Sequence, residues 1–333
     1  MGDIIHGMHA VAGLRERIPD AEIAWVIEPH WKPLLRSLDG DMPLVHRLHR
    51  AETKAWNRAP LSLATMNSVL SLRRELRAEK YDLCVDLQGS IRSAVIGRMS
   101  GAKRFAGAAE PAERAARFLY NVRIDATQSH VIAQTAEILS GACGIEISPE
   151  LRAPFPFDQS SEDWCDALLQ GDARPLAMIA PRAGWGAKQW PAERYGAVAS
   201  QLAERNFRVL VNAIPGGDLI AASVVAASGG TAQAVECTLP QLIALTRRLK
   251  LFIGGDTGPM HLASAIGVPC VAIFGPTDPK RTGPWGTNAR VLRDATSVTD
   301  HRRHKDPEGG LLRISIEDVT RAARELTEGC GRL

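Results

Sequence analysis

Two stretches of this chain combine residue types that can hold an anion. Gly254-Gly-Asp-Thr-Gly-Pro-Met-His261 sets a carboxylate, a hydroxyl, an imidazole and three glycines within eight residues. Pro181-Arg-Ala-Gly-Trp-Gly-Ala-Lys-Gln-Trp-Pro191 places one lysine, Lys188, behind a run of small residues. Small residues let a ligand approach the backbone, and the amides and positive dipole end of a helix N-terminus favour phosphate, with diphosphate the natural guest. Lysine is a point charge suited to a departing anion, although most lysines are solvated surface residues. His261 lies on the first turn of the helix that follows, where spacing lets it face the crevice or pack. A third carboxylate, Asp3, stands at a turn into a helix, and spacing alone prefers it as an N-cap.

The elements that position these residues follow from pattern. Leu251-Phe-Ile-Gly reads as a strand, then Asp256-Thr257-Gly258-Pro259 supply an N-cap, a flexible step and a first-turn proline. Met260, Leu262, Ala263 and Ile266 give the helix an apolar stripe, and Gly267 is its C-cap. Val271-Ala-Ile-Phe returns to the sheet, and Gly275-Pro-Thr-Asp-Pro279 turns sharply at its carboxyl end, where ligands of open α/β sheets bind.

Further strands are expected at 23–27, 81–87, 104–107, 176–180 and 208–212, with helices over 71–79, 191–204 and 240–249. Short apolar strands alternating with amphipathic helices predict doubly wound parallel sheets. A proline and serine cluster between Cys143 and Ala173 separates two such series, giving domains 1–155 and 165–310. A capped helix within 311–333 is expected to pack back on the first domain. The opening Met1-Gly-Asp-Ile-Ile-His begins in a loop and helix, whereas an α/β domain leads with a strand. The expectation is an internal methionine at Met1, with a strand of about five or six residues lying upstream.

At 333 residues, 45% hydrophobic and 23% charged, the chain has an ordinary globular balance. A net charge of +3 without long basic runs argues against a nucleic-acid partner. Six scattered cysteines with no CxxC pair read as reduced core residues. No apolar run approaches the ~20 residues of a membrane span, and no signal-peptide pattern is present; a cytoplasmic protein is expected.

Met1-Gly-Asp-Ile-Ile-His, Val85-Asp-Leu-Gln-Gly-Ser-Ile-Arg-Ser-Ala, Lys188-Gln-Trp-Pro and Asp256-Thr-Gly-Pro-Met-His-Leu-Ala together resemble glycosyltransferase family 9, the ADP-heptose:lipopolysaccharide heptosyltransferases. The similarity covers nearly the whole chain. Lys54-Ala-Trp56, Glu110-Pro and Phe118-Leu-Tyr-Asn121 lean toward its heptosyltransferase I branch.

The resemblance implies a GT-B fold, two Rossmann-like domains facing a cleft, and an inverting, metal-independent transferase with no cofactor beyond its donor substrate. ADP-heptose would be the donor and the Kdo residue of lipid A inner core the acceptor, with peripheral contact to the inner membrane. Asp3 would be the general base. Lys188 and the Thr257 and Gly258 amides would stabilise the ADP diphosphate, with Gly184 offering backbone contacts only, since hydroxyl residues of relatives are Ala183 and Gly184 here. Asp256 would hold heptose hydroxyls, His261 would lie beside the diphosphate or sugar, and the segment from Glu236 to Leu239, which includes Cys237, would meet the adenine mainly through backbone. Asp218 is the candidate for the ribose, and Arg50, Lys54 and Arg92 for the anionic acceptor. A sugar-nucleotide 2-epimerase of the same fold and a nucleotide-binding module without catalysis are the alternatives.

Overall fold

The computed structural model describes residues 1–300 and 302–328. It divides into two units, one built on Asp3–Pro156 and the other from Phe157 onward.

In the first unit α1 (Gly2–Arg17) precedes β1 (Ala24–Ile27) and β2 (Arg47–Arg50), then α2 (Thr53–Arg58) and α3 (Leu63–Ala78). There follow β3 (Leu83–Asp86), α4 (Ile91–Met99), β4 (Arg104–Ala108), β5 (Val122–Ile124) and α5 (Val131–Cys143). The strands form two parallel sheets, β1-β2 and β3-β4-β5. No backbone pairing joins β1 to β3, and the residues of both are mostly half-buried. Helix α1 lies against both: a Cβ on Gly7 would meet Trp25 of β1 at 3.1 Å and Leu87, just past β3, at 3.6 Å. From Ile5 to Gly13 every residue of α1 is buried. The helix is therefore a core element, not an amphipathic cover.

The second unit runs α6 (Gln159–Leu169), β6 (Leu176–Ala180), α7 (Ala192–Glu204), β7 (Arg208–Ala213), α8 (Leu219–Ala227), β8 (Ala232–Glu236) and α9 (Leu239–Arg247). It continues with β9 (Leu251–Gly255), α10 (Gly258–Ile266), β10 (Cys270–Ile273), α11 (Pro279–Thr282), β11 (Ala289–Leu292) and α12 (Ile316–Glu328). One six-stranded parallel sheet has the order β11-β10-β9-β6-β7-β8. Strands β6, β9 and β10 are buried at every position, as their unbroken apolar sequences require. The chain winds one way from β6 to β8 and the other way from β9 to β11, so the topological switch lies between β6 and β9.

The apolar face of α12, Val319, Ala322, Ala323 and Leu326, packs into the second unit's own core with Trp190, Val198 and Leu251. Edge strands account for what the sequence pattern misses: β2, β5, β8 and β11 each end a sheet and each carries a charged residue. Among the described residues no helix is long and apolar enough to cross a membrane.

Candidate active site

The loops after β6 and β9 meet at the switch point. Lys188 ends a short 3-10 turn, Gly186–Lys188, and its Nζ reaches Asp256 Oδ2 at 2.6 Å. Asp256 Oδ1 is 3.2 Å from His261 Nε2, so lysine, aspartate and histidine form one chain of contacts across the two loops. The side chains of Lys188 and Asp256 are 11% and 8% exposed. The Trp185 ring lies 4.3 Å from Lys188 Nζ, an aromatic face against the ammonium. Burial pushes the Asp256 carboxyl up, but the His261 hydrogen bond and the charges of His261 and Lys188 outweigh it, and the net direction is down. Asp256 is thus held ionised.

This engagement alters the expected cap. Thr257, not Asp256, is the N-cap of α10, and it makes no side-chain capping bond. With Asp256 turned to Lys188 and His261, the helix N-terminus keeps its amide capacity for an incoming anion. Gly267 ends the helix in the left-handed region at φ 93°, as the sequence requires.

The β6 loop is fixed from outside. A Cβ on Gly186 would lie 1.5 Å from the Lys305 carbonyl oxygen, so only glycine fits, and Ala187 exchanges backbone hydrogen bonds with the 304–308 segment. Gly184, by contrast, has open space around it. The Gly275 turn beyond β10 packs against Glu308 and Leu311, so the loop facing the α10 N-terminus across the switch is that of β6.

Asp218 is drawn inward. It caps α8 through the Ile220 and Ala221 amides, accepts from the Ile214 amide and pairs with Arg182 at 3.0 Å, with its side chain 1% exposed. Its carboxylate is thus engaged by the loop and the α8 N-terminus. The sequence reading gave no side-chain role to two neighbours: Arg182, which follows β6 directly, and Glu236 at the end of β8, whose carboxylate accepts from the Gly216 and Gly217 amides. A polar residue at the carboxyl end of a parallel strand was the available signal. Cys237 is half-buried, and burial raises its thiol to about 12, which makes it an inert neighbour.

In the first unit Asp3 sits exposed in the first turn of α1, where Met1 holds the N-cap position. Asp3 is thus not the cap that spacing favours. Burial lowers the pKa of the Met1 amino group, with Asp3 opposing and Lys54 adding to the shift, so these groups share one neighbourhood. Lys54 donates its amide to Glu28 at 3.0 Å and sets its Nζ 3.2 Å from His30 Nε2. Arg50 pairs locally with Glu52. Arg92 is exposed on the first turn of α4, and no described contact ties it to Arg50 or Lys54. Its turn is firmly built: buried Asp86 accepts from the Gln88 and Gly89 amides, the Ser93 hydroxyl and the Tyr120 hydroxyl.

Comparison with known proteins agrees with this architecture. A family model described as glycosyltransferase family 9 (heptosyltransferase) matches residues 69–312. The chain is 26% identical over 303 residues to lipopolysaccharide heptosyltransferase 1 of Escherichia coli K12, covering 88% of this chain and 90% of that protein. With lipopolysaccharide heptosyltransferase 2 of the same strain it shares 28% over 341 residues, 96% of this chain and 92% of the other. Among solved structures, E. coli heptosyltransferase WaaC with ADP superposes with a TM-score of 0.78 at 22% identity, covering 98% and 97% of the two chains. A family 9 glycosyl transferase from Veillonella parvula gives 0.83 at 21% identity, covering 99% and 95%. The fold is accordingly of the GT-B type. The chain belongs to glycosyltransferase family 9, the heptosyltransferases, and is a glycosyltransferase.

Proposed function

We propose that this enzyme transfers a heptose from ADP-heptose to a Kdo residue of the lipopolysaccharide inner core, with inversion at the anomeric carbon and peripheral contact with the cytoplasmic face of the inner membrane. The observation that carries the donor half is the Lys188, Asp256 and His261 chain at the switch point, beside a helix N-terminus with no side-chain cap. As the acceptor hydroxyl attacks the anomeric carbon, Asp3 takes its proton, and the bond from that carbon to the diphosphate oxygen breaks. Lys188 and the Gly258 amide would neutralise the charge gathering on the departing ADP. Asp256, kept ionised by its two partners, would accept hydrogen bonds from heptose hydroxyls. Glu236 is a better ribose candidate than Asp218, because it is exposed at the carboxyl end of β8. Lys54 and Arg50, with Arg92, would meet the acceptor's carboxylates and phosphates.

Support for the acceptor half is the similarity to lipopolysaccharide heptosyltransferases and the sequence leaning toward the first of them. The test is incubation with ADP-heptose and Kdo-lipid A, followed by mass spectrometry. A heptosylated lipid with release of ADP is the expected result. Transfer only to an already heptosylated acceptor would move the assignment to a later heptose, isomerised donor would indicate an epimerase, and ADP binding without product would leave a binding module.

A further inference from the structure

The outward face of α3 is unusual for a surface helix. Leu63, Met66 and Leu70 are 76%, 52% and 41% exposed, and at 100° per residue they fall on one stripe that Arg74 and Arg77 continue. That stripe is opposite Leu72 and Leu76, which hold α3 to the core. Half of the stripe is therefore apolar and half cationic.

Neighbouring elements extend it. Leu72 and Leu76 pack with Ile96 and Met99 of α4, and Ala94 of α4 packs with Ala116 in the 3-10 turn Arg114–Phe118, so α4 lies between α3 and that turn. Helix α4 presents Ile91 and Val95 outward at 45% and 43% exposure, and the turn ends in Phe118 at 70%. Arg117 lies over the Phe118 ring, 5.1 Å from its centre. Arg114 and Arg117 also line a cavity of about 420 Å³ with Glu110, Pro111 and Ala112. No ion pair among the described residues engages Arg73, Arg74, Arg77, Arg98, Arg114 or Arg117, whereas Arg47 and Arg50 of the same unit each hold a carboxylate. Exposed apolar side chains interleaved with unpaired arginines match a bilayer surface with anionic headgroups, where the apolar residues enter the acyl boundary and the guanidinium groups meet phosphates.

We propose that the surface formed by α3, α4 and the Arg114–Phe118 turn docks the enzyme on an anionic lipid bilayer. The partner is chosen by charge complementarity: a protein partner or second copy would have to bring a matching row of carboxylates, and the outward face of this chain's own α3 carries three arginines to one glutamate over 73–77. The proposal deepens the membrane contact included in the functional reading, but its test needs neither donor nor acceptor, so its failure would leave sugar transfer untouched.

The test is sedimentation of the full chain with vesicles of phosphatidylcholine alone and with about 30% phosphatidylglycerol. Binding to the anionic vesicles, weakened by salt, is expected. Leu63→Gln, Met66→Gln and Leu70→Gln combined should lower partitioning about tenfold or more, while ADP affinity stays unchanged. Arg73→Gln with Arg74→Gln, which disturbs no buried residue, should remove most of the salt-sensitive part and serves alone if the triple variant does not fold. Absence of vesicle binding, equal binding by wild type and the arginine variant, or a dimer in solution that the triple variant dissociates would each overturn the proposal.

Discussion

Lys188 and Asp256 neutralise one another before any ligand arrives, so a diphosphate has to compete with a carboxylate for the ammonium. Replacing Lys188 by Ala should weaken ADP binding by about 1.5–3 kcal/mol, the usual value of a charge-assisted contact. Unchanged affinity by calorimetry would remove it from the diphosphate site. Asp256→Asn should be harsher for stability, because it strands a buried ammonium, and loss of one partner of such a pair costs about 3–5 kcal/mol. The native Asp256 carboxyl is held below its ordinary value. Its contribution is therefore complete above the unfolded pKa of about 3.9 and lost as pH falls through the lower native value. Urea midpoints of the two proteins should be well separated at neutral pH and converge below about pH 4; a constant separation would refute the linkage. Asp3→Asn should leave ADP affinity intact and reduce turnover by ~10²–10⁴, and full turnover in the variant would end its role as base.

At the scale of elements, α10 is a helix whose first turn is left without a side-chain cap, and the loop before it holds its aspartate elsewhere. Thr257 already has the extended backbone of an N-cap residue, at φ −145° and ψ 166°. Thr257→Asp should therefore raise stability by up to about 1 kcal/mol while weakening ADP, because the new carboxylate occupies the amides and repels the diphosphate. A variant that binds ADP as tightly as wild type would mean that these amides are not used. Gly186 tests the opposite loop: alanine there meets the Lys305 carbonyl and must displace one of two backbones. A loss of about 1–3 kcal/mol in stability, with weaker ADP binding through the displaced Lys188, is the expected outcome. Thermal denaturation and calorimetry measure both.

On the scale of the molecule, the loop after β6 and α12 belong to a single core. Trp190, just beyond Lys188, is fully buried and donates Nε1 to the Ile314 carbonyl at the entrance to α12. Leu326→Ala should thus cost about 2–5 kcal/mol in the second unit despite lying near the chain's end. Hydrogen exchange with saturating ADP should show new protection in residues 180–190 and 255–262 and none in α3 or α4. Protection confined to the first unit would contradict the assignment of the donor loops.

Much of this was legible in the sequence. Unbroken apolar runs gave β6, β7, β9 and β10 nearly to the residue, because strands buried on both faces admit no polar interruption. Gly267 marked the end of α10 through local backbone chemistry. The edge strands β2, β5, β8 and β11 were not legible, since one open side tolerates charge and dilutes the pattern. Tertiary structure alone decided that Asp256 turns to Lys188 and His261 instead of capping its helix, that Asp218 faces inward, and that α12 completes the second core. Each of those outcomes depends on contacts between residues far apart in the chain, which no local spacing encodes.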